Sequence, residues 1–105
     1  MKTIKRAAKW LLFRPPLGLR NDGEVVMKYP RRIEGARYIH AGARAVVGAY
    51  SWIAAFDRYA TQRFTPRILI GQDVNIGRYA CITAIDLVEI GDGCLLSEHV
   101  YLSDH

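Results

Sequence analysis

The amino-acid sequence predicts an all-β fold: a triangular parallel β-helix of about three turns, preceded by a short basic segment. Three observations carry this. Apolar side chains recur every six residues through the latter two-thirds of the chain, and glycines and other small residues recur at the bends between them. Three segments also align with one another: "IHAGARAVVGAYSWIAAFD" (39–57), "ILIGQDVNIGRYACITAID" (68–86) and "VEIGDGCLLSEHVYLSDH" (88–105).

Residues 1–32 read as a basic N-terminal segment, helical or irregular. Eleven of the chain's 15 Lys and Arg residues fall before Ala45, against Asp22, Glu24 and Glu34. The opening "MKTIKRAAKWLLFRPP" holds a run from Trp10 to Phe13 that Arg14 and Pro15-Pro16 close. Four apolar residues cannot cross a hydrocarbon layer that needs about 20. Nor does the stretch read as a cleaved signal, because Lys9 interrupts it and no small-residue cleavage site follows. A helix packed on its own domain or on a neighbouring subunit through Trp10 and Phe13 is the first reading. A peripheral contact of residues 1–14 with an anionic membrane surface is the second.

Residues 33–105 carry the repeat. One inward series runs Ala41, Val47, Ile53, then Ile70, Ile76, Ile82, then Ile90, Leu96, Leu102. Two positions before each stands Ile39, Ala45, Ser51, then Ile68, Val74, Ala80, then Val88, Cys94, Val100, so that only Ser51 of the two series is not apolar. A period of six fits neither the 3.6 of a helix nor a long strand. It fits a very short strand with two inward residues at alternate positions, followed by a corner. Gly42, Gly48, Gly71, Gly77 and Gly91 mark corners, as tight bends require. Three strand-and-corner units make one turn, and Ile33, eight residues before Ala41, suggests a partial turn leading in. The period breaks twice, both times at the same corner. The larger break contains "RYATQRFTPR" (58–67), a loop thrown off the stack, where repeat proteins usually carry function.

Composition narrows the function classes. At 105 residues the chain fits one domain. Cys81 and Cys94 lack the spacing of a disulfide framework or a zinc finger, so a reduced, cytoplasmic setting is expected. Cys94 takes an inward slot and reads as core, while Cys81 faces outward with nothing but Arg78 nearby to activate its thiol. The net charge of +5 comes with no recognisable nucleic-acid-binding module, so no nucleic-acid partner is expected.

At the repeats the chain resembles the hexapeptide-repeat acyltransferases, whose pattern is [LIV]-[GAED]-x-x-[STAV]-x. "IGQDVN", "IGRYAC" and "IGDGCL" fit closely, "AGARAV" and "VGAYSW" more loosely. The resemblance covers residues 33–105 and is closest to the O-acetyltransferases of sugars and surface polysaccharides. It implies a left-handed β-helix, against the usual right-handed crossover rule. It further implies transfer of an acetyl group from acetyl-CoA to a saccharide hydroxyl by a homotrimer, with CoA lying in a groove between subunits and with no metal; the expected location is the cytoplasm, with the inner face of the membrane as the option that residues 1–14 leave open.

In that branch a histidine in a stretch commonly reading Asp-His-x-His acts as general base on the hydroxyl, a role that suits an imidazole titrating near neutrality. Asp104-His105 matches the first half of that stretch. Relatives reading Thr-x-His-Pro would put the base two positions after His105, so His105 is either the base or its companion. Asp57 and Asp86 align one turn apart at the insertion corner and could orient a sugar or an imidazole, or simply bond their own backbone. Arg58, Tyr59, Arg63 and Phe64 of the loop could contact the acceptor, or a neighbouring subunit. Much of the CoA groove would belong to later turns, so 105 residues alone are expected to be inactive or nearly so. Two other classes compete. One is a non-catalytic scaffold or association module, marked by binding polysaccharide or membrane without acetyl-CoA. The other is a zinc-dependent, carbonic-anhydrase-like enzyme on the same helix, which would need His40, His99 and His105 to converge.

Overall fold

A computed structural model describes residues 12–105, and the expected helix around Trp10 lies outside them. The fold is all-β, with three four-stranded parallel sheets visited in strict rotation. The first sheet takes β1 (Arg20–Asn21), β4 (Ile39–Ala41), β9 (Arg67–Ile70) and β12 (Leu87–Ile90). The second takes β2 (Val26–Met27), β5 (Val46–Val47), β10 (Asn75–Ile76) and β13 (Leu95–Leu96). The third takes β3 (Arg31–Glu34), β6 (Ser51–Ala55), β11 (Cys81–Ala84) and β14 (Tyr101–Ser103). Each sheet therefore receives one strand from each of four successive circuits of the chain. A short 3-10 turn, Ala36–Tyr38, joins β3 to β4, and the hairpin β7 (Arg58–Tyr59) and β8 (Gln62–Arg63) stands off the corner after β6.

The register is the one the six-residue period demands. Ile33, Ile53, Ile82 and Leu102 are successive partners in the third sheet, Met27, Val47, Ile76 and Leu96 in the second, and Ala41, Ile70 and Ile90 in the first. These side chains meet between the sheets in one apolar core. Ser51, the polar exception, is buried and donates its hydroxyl to the Gly48 carbonyl (2.8 Å), which removes the cost of burying it.

The structure corrects the sequence in three places. First, the sheets begin at Arg20 and not at residue 33, and there are four circuits where the repeats indicated about three. The first circuit has the same spacing, Leu19 to Val25 and Met27 to Ile33, but Asn21 stands in a slot that is apolar in the later circuits and Arg31 in the slot of Ser51, Ala80 and Val100, and both hide the period. Phe13 docks on this circuit, its carbonyl accepting the Met27 N–H (2.8 Å) and its ring packing 6.1 Å from that of Tyr29.

Second, the corner glycines serve close approach. A Cβ on Gly48 would lie 2.6 Å from Arg78 N and 2.7 Å from Gly77 C, so the next circuit lies directly against the glycine Cα. The left-handed conformation falls instead to other residues, among them Arg44 and Asp73 in one column and Tyr50, Tyr79 and His99 in another. Their side chains compensate by stacking from circuit to circuit. Arg44 binds Asp73 with two hydrogen bonds (2.7 and 2.9 Å), Tyr50 stacks on Tyr79 at 5.0 Å, and Tyr79 on His99 at 4.9 Å. Third, Cys94 occupies its inward slot beside Val74 but is exposed, because the fourth circuit lies at one end of the stack.

Candidate functional site

His105 follows β14 on the corner above the hairpin. Its Nδ1 lies 3.0 Å from Asp104 Oδ1 and 3.1 Å from Ser103 Oγ. Ser103 Oγ also lies 3.0 Å from the His105 main-chain oxygen, so its hydroxyl proton has an acceptor there as well. The Asp104 carboxylate can only accept, so it draws the proton to Nδ1 and leaves the lone pair of the neutral ring on Nε2. The imidazole and the Phe56 ring stand perpendicular, 6.4 Å from centroid to centroid.

Asp104 is held by the main chain as much as by His105. Its carboxylate accepts the backbone N–H groups of Ile85 (2.9 Å), Asp86 (2.8 Å) and Leu87 (2.7 Å) from the corner one circuit below. Desolvation pushes this carboxyl up, but the Ile85 N–H, the imidazole, and the N–H groups of Asp86 and Leu87 outweigh it and bring its pKa down to about 2. Asp104 is thus a fixed anion that clamps a corner and orients a ring.

The ring lines a cavity of about 500 Å³ with Phe56, Arg58, Tyr59, Gln62, Phe64 and Ile85. That volume falls within the usual range for small-molecule sites. The hairpin forms one wall, and its neck is closed by the Phe64 N–H donating to the Asp57 carbonyl (2.8 Å). Phe56 and Arg58 also wall a second cavity of about 460 Å³, which holds Arg37, Tyr38 and Asp57. There Tyr38 Oη and Arg37 Nη2 donate to Asp57 Oδ2 (2.9 and 3.0 Å), and together they hold the Asp57 carboxyl below its ordinary value.

Of the residues singled out from sequence, the structure brings together His105, Asp104, Arg58 and Tyr59. Asp57 turns its carboxylate into the neighbouring cavity, and Asp86 contributes its backbone N–H while its side chain is exposed. Arg63 pairs with Arg58 across the hairpin, and Phe64 lines the cavity. Ser103, Phe56, Ile85 and Gln62 went unrecognised. Ser103 could have been found as the small residue two before His105. The other histidines stand elsewhere: His40 Nε2 lies 2.8 Å from Asp22 Oδ1 beside the first sheet, and His99 stacks on Tyr79. No group of three or more metal-ligating side chains converges among the described residues. Burial pushes the Cys81 thiol up, away from nucleophilic use. No helix among the described residues is long and apolar enough to cross a membrane.

Comparison with protein-family models, with curated proteins and with solved structures finds no match.

Proposed function

We propose that the three-sheet stack is the left-handed β-helix of a hexapeptide-repeat acyltransferase and that the chain carries the base-bearing part of an acetyl-CoA-dependent saccharide O-acetyltransferase. The observation that carries this reading is the Asp104 carboxylate at His105 Nδ1, which leaves Nε2 as the basic nitrogen of a residue lining a cavity of about 500 Å³. An acceptor hydroxyl gives its proton to Nε2 as its oxygen forms a bond to the thioester carbonyl carbon. The C–S bond then breaks, and the proton passes from Nε2 to the departing CoA sulfur. Asp104 stabilises the imidazolium between these steps, while its three backbone partners keep the carboxylate in place.

Acetyl-CoA supplies the activated acetyl group, and the apolar walls of Phe56, Phe64 and Ile85 suit an uncharged thioester. Arg58 and Tyr59 line the same cavity and would meet the sugar. In this reading the enzyme is a cytoplasmic homotrimer with CoA between subunits. Disrupting the gene in its source cell tests the reading: acetyl esters should disappear from a cell-surface glycan, and return with the wild-type gene but not with His105→Ala. An unchanged acetyl content in every glycan fraction would overturn it.

A further inference from the structure

The hairpin carries a feature that acetyl transfer by itself does not require. Arg58 and Arg63 are directly opposite partners on its two antiparallel strands, so their side chains leave the same face. Both are exposed, and neither has a carboxylate partner among the described residues. Asp57, the adjacent carboxylate, is already held by Arg37 and Tyr38. Like charges facing each other across a two-stranded ribbon are destabilising. The hairpin belongs to the inserted residues, outside the six-residue repeat that builds the core, so the stack does not need this pair. Arg58 also lines the His105 cavity.

We propose that Arg58 and Arg63 bind an anionic group of the acceptor, so that the saccharide acetylated is an acidic one, with its hydroxyl at His105 and its carboxylate or phosphate at the hairpin. Two guanidinium forks on one face can each take two oxygens of such a group, which a neutral sugar cannot exploit. This inference rests on the acetyltransferase reading, and its test separates the two.

The test measures binding of an oligogalacturonate, a sugar phosphate, a neutral oligosaccharide of matched length and acetyl-CoA to the full-length protein and to the Arg58→Gln/Arg63→Gln double variant. Circular dichroism checks that the variant keeps its fold, and Arg58→Lys/Arg63→Lys serves as a second variant that keeps charge but not the forks. The expected result is salt-sensitive binding of an acidic saccharide at least tenfold tighter than the neutral one, lost in the Gln variant, partly kept in the Lys variant, and accompanied by unchanged acetyl-CoA affinity. The stronger ligand of the two acidic probes identifies the group as carboxylate or phosphate. Equal binding of acidic and neutral saccharides overturns the inference. So does a loss confined to acetyl-CoA, which would assign the pair to the donor's phosphates. Acidic binding without acetyl transfer to any acceptor would sink the acetyltransferase reading and leave the anion site standing.

Discussion

Replacing Gly48 with Ala adds one methyl group, and the structure gives it nowhere to go. The new Cβ would sit 2.6 Å from Arg78 N, 2.7 Å from Gly77 C and 2.9 Å from Gly77 O. All three are backbone atoms of the next circuit, so no side chain can swing away, and relief requires lifting that circuit. Doing so lengthens the bond from the Gly48 N–H to the Ile76 carbonyl, now 2.8 Å, and opens the packing of Val47 on Ile76. Overpacking of this kind costs about 3 kcal/mol. In a chain of this size that is a fall in Tm of roughly 15 °C. Gly91 is the internal control: it lies in a corner of the last circuit, where an added Cβ would find its nearest neighbour, Cys94 Sγ, at 4.0 Å. Gly91→Ala should leave stability within about 0.5 kcal/mol of wild type, or raise it slightly by restricting the unfolded chain. Urea denaturation followed by circular dichroism reads both. Equal stability of the two variants would refute the claim that close approach between circuits dictates the corner glycines.

Three further outcomes follow from other parts of the molecule. Because the Asp104 pKa falls from 3.8 to about 2 on folding, the carboxylate stabilises the fold at neutral pH, by about 1 kcal/mol once solvent screening at this exposed corner is allowed for. That contribution is present above pH ~4 and lost as pH falls through about 2. Asp104→Asn should therefore be less stable than wild type at pH 7 and nearly equal to it at the acid end, and a constant difference across the titration would contradict the clamp. Ile82, fully buried and paired on both sides with Ile53 and Leu102, should cost about 4 kcal/mol when changed to Ala, read by the same denaturation. Thr83 buries a hydroxyl that has no hydrogen-bond partner among the described residues, so Thr83→Val should stabilise by about 1 kcal/mol, and a destabilised variant would mean that the hydroxyl is satisfied.

The fold was legible where the period of six is apolar in both series. Ile53, Ile82 and Leu102, or Val47, Ile76 and Leu96, announce short strands with a fixed inward side, and their register follows. The first circuit was not legible, because Asn21 and Arg31 stand at the end of the stack, where an inward slot need not be dry. Gly42, Gly48, Gly71 and Gly77 were read as residues of strained corners, but chain geometry puts them where two circuits touch, and the left-handed φ falls to other residues, Gly93 among them. Contact between circuits is invisible to local pattern, and so is the stacking that lets Tyr79 and His99 hold left-handed corners. At the site, Asp104 and His105 stood out by adjacency. The backbone N–H groups that make Asp104 a clamp come from residues 85–87, and only the register brings them to it. Asp57 and Asp86 were matched by position, but alignment on one corner says nothing about side-chain direction, and Arg37 and Tyr38 take one of them away.

The most direct test of the account is the rate of acetyl transfer from radiolabelled acetyl-CoA to an acidic oligosaccharide by the protein its gene encodes, compared with His105→Ala. A general base at Nε2 predicts a fall in kcat of about 10²–10⁴-fold in the variant with little change in KM, and a smaller fall for Asp104→Asn. Transfer that proceeds at the wild-type rate without His105 would contradict the account at its centre.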